Sequence, residues 1–286
     1  MKKAVCICGA GTMGRGIALA AAVSGMDCLL YDLDARVLDS ASSLIEKEIE
    51  QEIEKKRMNS SAGKMIFNRI SFSSSITDCI APVIIEAIIE NISAKSGLFI
   101  GLSGFNDTET IFASNTSSLS VTAIAEQTSF PERIIGMHFF NPANRMQLVE
   151  LIQTKYVSWK LIQQMAVWAG QLGKTTVICR DTPGFIVNHI ARPFYLEALR
   201  LAEMKIADVD TIDKLMESAG FKMGPFHLMD LIGNDINYTV SNTLYQALGY
   251  PARLRPSPMQ EIKLQQGLLG RKTGSGFFQY LKPMAG

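Results

Sequence analysis

A short apolar strand running straight into three spaced glycines constrains this chain more than any other feature. Lys3 to Cys8 is apolar and stops at Gly9; "GAGTMG" follows, spaced Gly9-x-Gly11-x-x-Gly14. "GRGIALAAAVSG" then has the alanine-rich texture of a helix ending near Gly25, and "MDCLLYD" reads as a second strand that terminates at Asp32, 21 residues beyond Gly11. The three glycines serve three different steric needs. Gly9 permits a tight turn, Gly11 lets backbone approach a pyrophosphate, and Gly14 lets helix and strand pack closely. The helix start presents free N–H groups and a positive dipole end to phosphate. A lone glycine triplet is a weak signal. This one follows a strand, opens a helix and meets an acid at the right distance, which is the context a dinucleotide-binding unit requires.

Asp32 is expected to accept hydrogen bonds from a ribose 2′-hydroxyl and to repel a 2′-phosphate, which favours NAD over NADP. FAD uses the same fingerprint. Beyond Asp32, "ARVLDSASSLIEKEIEQEIEKKRM" has the periodicity of one long amphipathic helix ending in Lys55, Lys56 and Arg57. "RISFSSSI" and "APVIIEAIIEN" read as strands, with Glu90 and Asn91 where the second finishes. A helix from about Ser93 to Leu102 leads to the strand "TIFASNTSSL", and "RIIGMHFF", "MQLVELI" and "TTVICRD" complete the set, the last after a helix through Trp168. Strands alternating with helices predict an α/β, Rossmann-type doubly wound, mainly parallel sheet, with ligands outside the carboxyl ends of its strands.

After "RDTPGF" the texture becomes helical with almost no strand signal. Candidate helices are "FIVNHIARPFYLEALRLAEM", kinked at Pro193, "VDTIDKLMESAG", "FHLMDLIGNDINYTVSNTLYQAL" and "PMQEIKLQQGLL". The expected division is 1–182 for a nucleotide-binding domain and 183–286 for a smaller all-helical domain. Part of the apolar surface of that domain is expected to form a homodimer interface.

Composition excludes several classes. A formal charge of +1 with acids and bases interspersed argues against a nucleic-acid or anionic-membrane surface. No stretch approaches the ~18 apolar residues a membrane span needs. The run after the two lysines of "MKKAVCICGAG" is too short for a signal peptide and ends in glycines. Five cysteines, Cys6, Cys8, Cys28, Cys79 and Cys179, are odd in number and show no metal-like spacing. Reduced, buried thiols in a cytoplasmic protein are expected, with no metal.

Chemistry concentrates in "IIGMHFFNP", where a strand breaks into one of only three histidines. An enzyme that moves hydride from an alcohol to a nicotinamide must also take the hydroxyl proton, and a base near neutral pKa suits that step. His189 is expected inside a helix and His227 after a "GPF" turn; His138 alone stands at the sheet rim. Glu150, in "MQLVELI", is an acid in an otherwise apolar strand. It is either the carboxylate that orients His138, or an exposed acid on an edge strand while His138 caps a loop. Ser117 and Asn188 could each donate to a substrate oxygen, yet "SNTSSLSVTAIA" also has the form of a helix N-cap.

With these residues in view, the chain resembles the 3-hydroxyacyl-CoA dehydrogenase family, which includes bacterial 3-hydroxybutyryl-CoA dehydrogenases. "GAGTMG", "IEAIIEN", "ASNTSSL", "GMHFFNP", "VELI", "DTPGFIVN", "GPFHLMDLIG" and "GRKTGSGFF" keep family order and spacing over nearly the whole chain. The resemblance implies reversible oxidation of an (S)-3-hydroxyacyl-CoA by NAD, with His138 as base, Glu150 as its partner, and Ser117 and Asn188 holding substrate. It places Gly9, Gly11, Thr12, Met13, Gly14 and Asp32 against NAD, together with Glu90, Lys95, Ser117, Asn141 and Lys272. It puts the cluster around Lys55 where relatives grip the coenzyme A phosphates, although "KKRM" stands where many relatives have a glycine turn. Short acyl groups and fatty-acid β-oxidation or a related pathway fit the bacterial-type resemblance. Two competing functions keep the fold: a β-hydroxyacid dehydrogenase with a lysine base on the first helix past the boundary, which here has no lysine until Lys205, and a non-catalytic dinucleotide-binding protein.

Overall fold

The structure, a computed structural model, describes residues 4–280; Lys3, expected to open the first strand, lies outside them. The chain divides after Thr182 into two compact units.

The first unit holds β1 (Val5–Cys8), β2 (Cys28–Tyr31), β3 (Ile70–Ser73), β4 (Val83–Glu86), β5 (Ile111–Ser114), β6 (Ile134–Phe139), β7 (Leu148–Gln153) and β8 (Thr175–Arg180). They form one sheet in the order β3-β2-β1-β4-β5-β6-β7-β8, with every neighbouring pair parallel except β6 and β7. The strand order reverses between β1 and β4, and a doubly wound sheet opens a crevice at such a point. Its helices are α1 (Thr12–Val23), α2 (Ala35–Glu54), α3 (Ser60–Asn68), α4 (Ile92–Ser103), α5 (Val121–Ala125) and α6 (Trp159–Gln171).

The four residues of β1, β2, β4 and β5 are buried throughout, which is why these strands read as continuous apolar runs rather than alternations. Val5, Ile7, Cys28, Leu30, Ile85, Met137 and Leu151 join Ile17 and Ala18 of α1, Ile45 of α2 and Ile162 of α6 in one aliphatic core. The strand pleat and the register turn Cys6, Cys8, Ile84, Glu86 and Ser114 to the opposite face. One face is therefore oily, and the other carries the polar chemistry.

Three expectations are corrected here. The long helix stops at Glu54, not Met58; Lys56 sits in the left-handed region at φ 57 and turns the chain into the unexpected α3. Asn59 caps that helix by accepting from the Ala62 N–H at 2.8 Å. A Cβ on Gly63 would lie 2.8 Å from Ile53 and 2.9 Å from Ile49, so glycine is what lets α3 press against α2. Second, β4 ends at Glu86, short of Glu90, because the Glu86 carboxylate folds back to accept the Ile88 N–H at 2.8 Å and curls the chain. Third, the helix expected over "FHLMDLIGNDINYTVSNTLYQAL" breaks at Gly233, whose φ of 104 no helix continues through.

The second unit comprises α7 (Val187–Glu203), α8 (Val209–Ser218), α9 (Pro225–Ile232), α10 (Asn234–Ala247) and α11 (Pro258–Gln265), with Pro193 inside α7. Its core is Tyr195, Leu196, Leu199, Ile212, Phe226, Met229 and Leu254. Two buried acids organise it. Asp213 accepts the Phe226 and His227 N–H groups at 2.8 Å each, fixing the start of α9. Asp230 accepts from Asn234 Nδ2, the Phe277 and Phe278 amides and the Tyr280 hydroxyl at 2.8 to 3.0 Å, tying "GRKTGSGFF" to α9. Among the described residues no helix is long and apolar enough to cross a membrane.

Candidate active site

The glycine turn is built as steric demand requires. Gly9 has φ +104, and a Cβ there would sit 2.5 Å from the Ala87 carbonyl oxygen. On Gly14 a Cβ would fall 1.7 Å from the Gly9 carbonyl oxygen, so α1 reaches β1 only with glycine at that position. Around Gly11, the N-cap of α1, nothing lies within 4 Å of a Cβ position: here the backbone faces open space. Thr12, Met13 and Gly14 form the first turn of α1. Asp32 accepts the Ala10 N–H at 2.8 Å and the Asp34 N–H at 3.1 Å, holding its carboxylate at the end of β2.

These residues border a cleft of about 580 Å³ lined by Gly9, Gly11, Tyr31, Asp32, Ile76, Ala87, Ile88 and Leu98. On its rim, Leu33 is 84% and Ile89 72% exposed, apolar flanks suited to a flat heterocycle. Bare backbone for a pyrophosphate, an acid for a ribose and apolar walls for a base fit NAD.

A second centre lies along the same rim. In the antiparallel pair, His138 of β6 stands directly opposite Glu150 of β7. Their side chains meet at 2.7 Å, from Nδ1 to Oε2, and Glu150 is wholly buried. β7 lies between β6 and β8, so the reading of Glu150 as an exposed edge acid is excluded. An ionised Glu150 accepts from Nδ1–H, and that tautomer leaves the Nε2 lone pair outward. Ser117 Oγ lies 3.1 Å from Nε2. The Phe140 ring packs 4.6 Å from the imidazole, and the Phe139 N–H donates to Asn115 Oδ1 at 2.9 Å, which anchors the end of β6.

Between the two centres runs an ionic network with a buried Lys95–Glu86 pair at its heart and the exposed Glu90 at its edge. Lys95, 1% exposed, contacts Glu86 at 2.5 Å and Glu90 at 3.0 Å. Glu86 also accepts from Ser114 Oγ at 2.7 Å. Burial raises the Glu86 carboxyl above the usual range, while the Lys95 ammonium and its hydrogen bonds pull it back. Glu90 accepts from Thr116 Oγ1 and from the Ser117 N–H, both at 2.8 Å, so it sets the loop that presents Ser117. Glu86 is absent from the sequence-based site. Its signal, an acid inside "VIIEAIIEN", is the same kind that marked Glu150.

The remaining expected residues belong to other elements. Asn141 is exposed and precedes Pro142 through a cis peptide. Lys55 is the exposed C-cap of α2, beside Arg57, which pairs with Glu52 at 3.1 Å. Asn188 lies in the first turn of α7, and Lys272 pairs with Asp235 at 2.7 Å, both in the helical unit. Although the spacing of the cysteines is not metal-like, the fold gathers Cys6, Cys8 and Cys79, all buried, with sulfurs within 4.8 Å of one another.

A Rossmann crevice cleared to receive NAD, with a buried carboxylate–imidazole pair on the same sheet rim, is the plan of a nicotinamide-dependent dehydrogenase. The sequence comparisons specify which kind. Residues 4–182 match the model of the 3-hydroxyacyl-CoA dehydrogenase NAD-binding domain, and residues 184–280 that of the C-terminal domain of the same enzymes. The chain belongs to the 3-hydroxyacyl-CoA dehydrogenase family, and its cofactor is NAD. It is 37% identical over 281 residues to 3-hydroxyadipyl-CoA dehydrogenase of Escherichia coli, covering 96% of this chain and 58% of that longer protein. It is 39% identical over 276 residues to a probable 3-hydroxybutyryl-CoA dehydrogenase of Deinococcus radiodurans, covering 96% of this chain and 99% of the relative. The crystal structure of (S)-3-hydroxybutyryl-CoA dehydrogenase from Ralstonia eutropha superposes with a TM-score of 0.92 at 34% identity, over 99% of this chain and all of that one.

Proposed function

We propose that the chain interconverts an (S)-3-hydroxyacyl-CoA and the corresponding 3-ketoacyl-CoA, with His138 as general base and acid and Glu150 as its orienting partner. The observation that carries this reading is the 2.7 Å contact of His138 Nδ1 with buried Glu150. A negative partner at Nδ1 favours the imidazolium that forms when Nε2 takes the hydroxyl proton, and it keeps the ring in the correct tautomer in both directions. Ser117 Oγ, at 3.1 Å from Nε2, supplies a donor for the same substrate oxygen. Bound NAD supplies the hydride acceptor. In reverse, the protonated ring is the acid that polarises the ketone.

A short acyl chain, as in 3-hydroxybutyryl-CoA, is the preferred substrate in this reading, supported by the names of the Deinococcus and Ralstonia relatives. Asn188 takes part in holding the thioester substrate, Lys272 and Asn141 in holding NAD, and Lys55 in holding the coenzyme A phosphates. Exposed apolar residues of the helical unit, among them Ile190, Leu215 and Phe221 at 70, 66 and 50%, support a homodimer made through it. We place the enzyme in the cytoplasm, in fatty-acid or related acyl-CoA metabolism.

The competing lysine-base chemistry has no residue to use, since α7 contains no lysine. The decisive experiment is NADH depletion across 3-ketoacyl-CoAs of increasing length, repeated with NADPH. Turnover greatest with acetoacetyl-CoA and NADH is expected. Activity on a free 3-hydroxy acid but not on its thioester would overturn the assignment, as would tight NADH binding without turnover on any thioester.

A further inference from the structure

Three of the five cysteines meet on the polar face of the sheet, away from the His138 centre. Cys6 and Cys8 are two apart on β1, so the pleat turns both to one side, and their sulfurs lie 3.9 Å apart. Cys79 comes from the loop that leads into β4, directly after a 3₁₀ turn over Ile76–Asp78. All three are completely buried, and all three sulfurs lie within 4.8 Å of one another. No fourth histidine, cysteine, aspartate or glutamate belongs to this group among the described residues.

The arrangement has the size of a metal site. A thiophilic ion holds thiolate sulfur at ~2.3 Å, and three such bonds in a plane set neighbouring sulfurs ~4.0 Å apart. Cys6 and Cys8 already have that separation. A tetrahedral Zn²⁺ structural site needs a fourth ligand, whereas soft thiolates alone select ions such as Cu(I).

We propose that Cys6, Cys8 and Cys79 form a three-thiolate site for one thiophilic metal ion of the class that Cu(I) represents. The ion forms three metal–sulfur bonds, and the thiol protons it displaces go to solvent. The site adjoins the nucleotide cleft: Cys8 precedes Gly9, and Ile76, three residues before Cys79, lines the cleft wall. An ion there ties β1 to the loop before β4 and so braces that wall. The proposal is independent of the reaction assigned above, since no cysteine takes part in it.

The test is an anaerobic titration of the fully reduced, full-length protein with Cu(I) held by a chromophoric chelator. One tight equivalent per chain is expected to leave the chelator, with a sulfur-to-metal charge-transfer band and a raised unfolding temperature. Cys79→Ala should lose that equivalent while keeping NADH affinity, and Cys28→Ala and Cys179→Ala should retain it. X-ray absorption of the loaded wild-type protein should show three sulfurs at ~2.3 Å, a measurement that needs no variant to fold. Equal Cu(I) uptake by wild type and Cys79→Ala, loss of the equivalent in Cys179→Ala, or a first shell of two sulfurs or of nitrogen and oxygen would each overturn the proposal.

Discussion

His138 and Glu150 face each other across β6 and β7, the one antiparallel pair in the sheet, and their side chains close to 2.7 Å. The antiparallel step is what makes the pairing direct. Residues opposite one another across two strands have Cβ atoms ~5 Å apart, within reach of an imidazole and a carboxylate on the same face.

Glu150→Gln keeps the shape of that contact and removes the charge. The amide can present N–H to Nδ1 and reverse the tautomer, and it no longer stabilises an imidazolium. Turnover should fall ~10²-fold or more, as loss of the carboxylate does in a serine protease triad, with NADH affinity within a factor of ~2 of wild type because Glu150 lies outside the cleft. Steady-state kinetics beside a fluorescence titration of NADH separate the two effects. Equal loss in both would mean the residue is only structural.

The second and third glycines of the turn should respond differently to one added methyl group. Gly11→Ala meets no atom within 4 Å, so the protein should unfold at an unchanged midpoint while NADH binding weakens tenfold or more, ~1.4 kcal/mol. Gly14→Ala drives a Cβ to 1.7 Å from backbone oxygen, which requires α1 to move and should lower stability as well. Calorimetry and NADH titration on both variants test the contrast.

Lys95→Met strands a buried carboxylate. Breaking such a pair costs about 3–5 kcal/mol, and the double variant Glu86→Gln/Lys95→Met should recover part of it. Without the ammonium, burial raises the Glu86 carboxyl further above its unfolded value. A carboxyl raised in the folded state contributes stability that is full below the ordinary carboxylate range and is lost as pH rises through the folded value. Urea unfolding should therefore show the variant closest to wild type at mildly acidic pH and furthest from it at mildly alkaline pH.

Asp230→Asn replaces two oxygens that accept four hydrogen bonds with one oxygen and an amide that must face backbone N–H groups. A loss of about 2–4 kcal/mol is expected, with earlier proteolysis in the segment around Gly276, where a Cβ would already lie 2.0 Å from Asp230 Oδ1. Limited proteolysis followed by mass spectrometry reads the site of first cleavage.

Local pattern was enough to determine the strand–glycine–helix unit, the alternation that makes a doubly wound sheet, and the helical texture after Gly184. These rest on period, turn chemistry and the steric freedom of glycine, all properties of adjacent residues. Glu150 was conspicuous for a similar reason: an acid in an apolar strand must find a partner. Which partner it finds was a matter of tertiary structure, because two readings of the same acid differed only in whether β7 lay inside the sheet. The break at Lys56 and the separate α3 did not show in the helical period, because the residue in the left-handed region is a lysine rather than a glycine. The gathering of Cys79 with Cys6 and Cys8, and of Phe277 and Phe278 around Asp230, depends on residues about fifty to seventy positions apart in the chain. Sequence spacing carries no distance of that kind; it is set when strands and helices choose neighbours so as to bury their apolar faces, and polar groups carried along must then satisfy one another where they land.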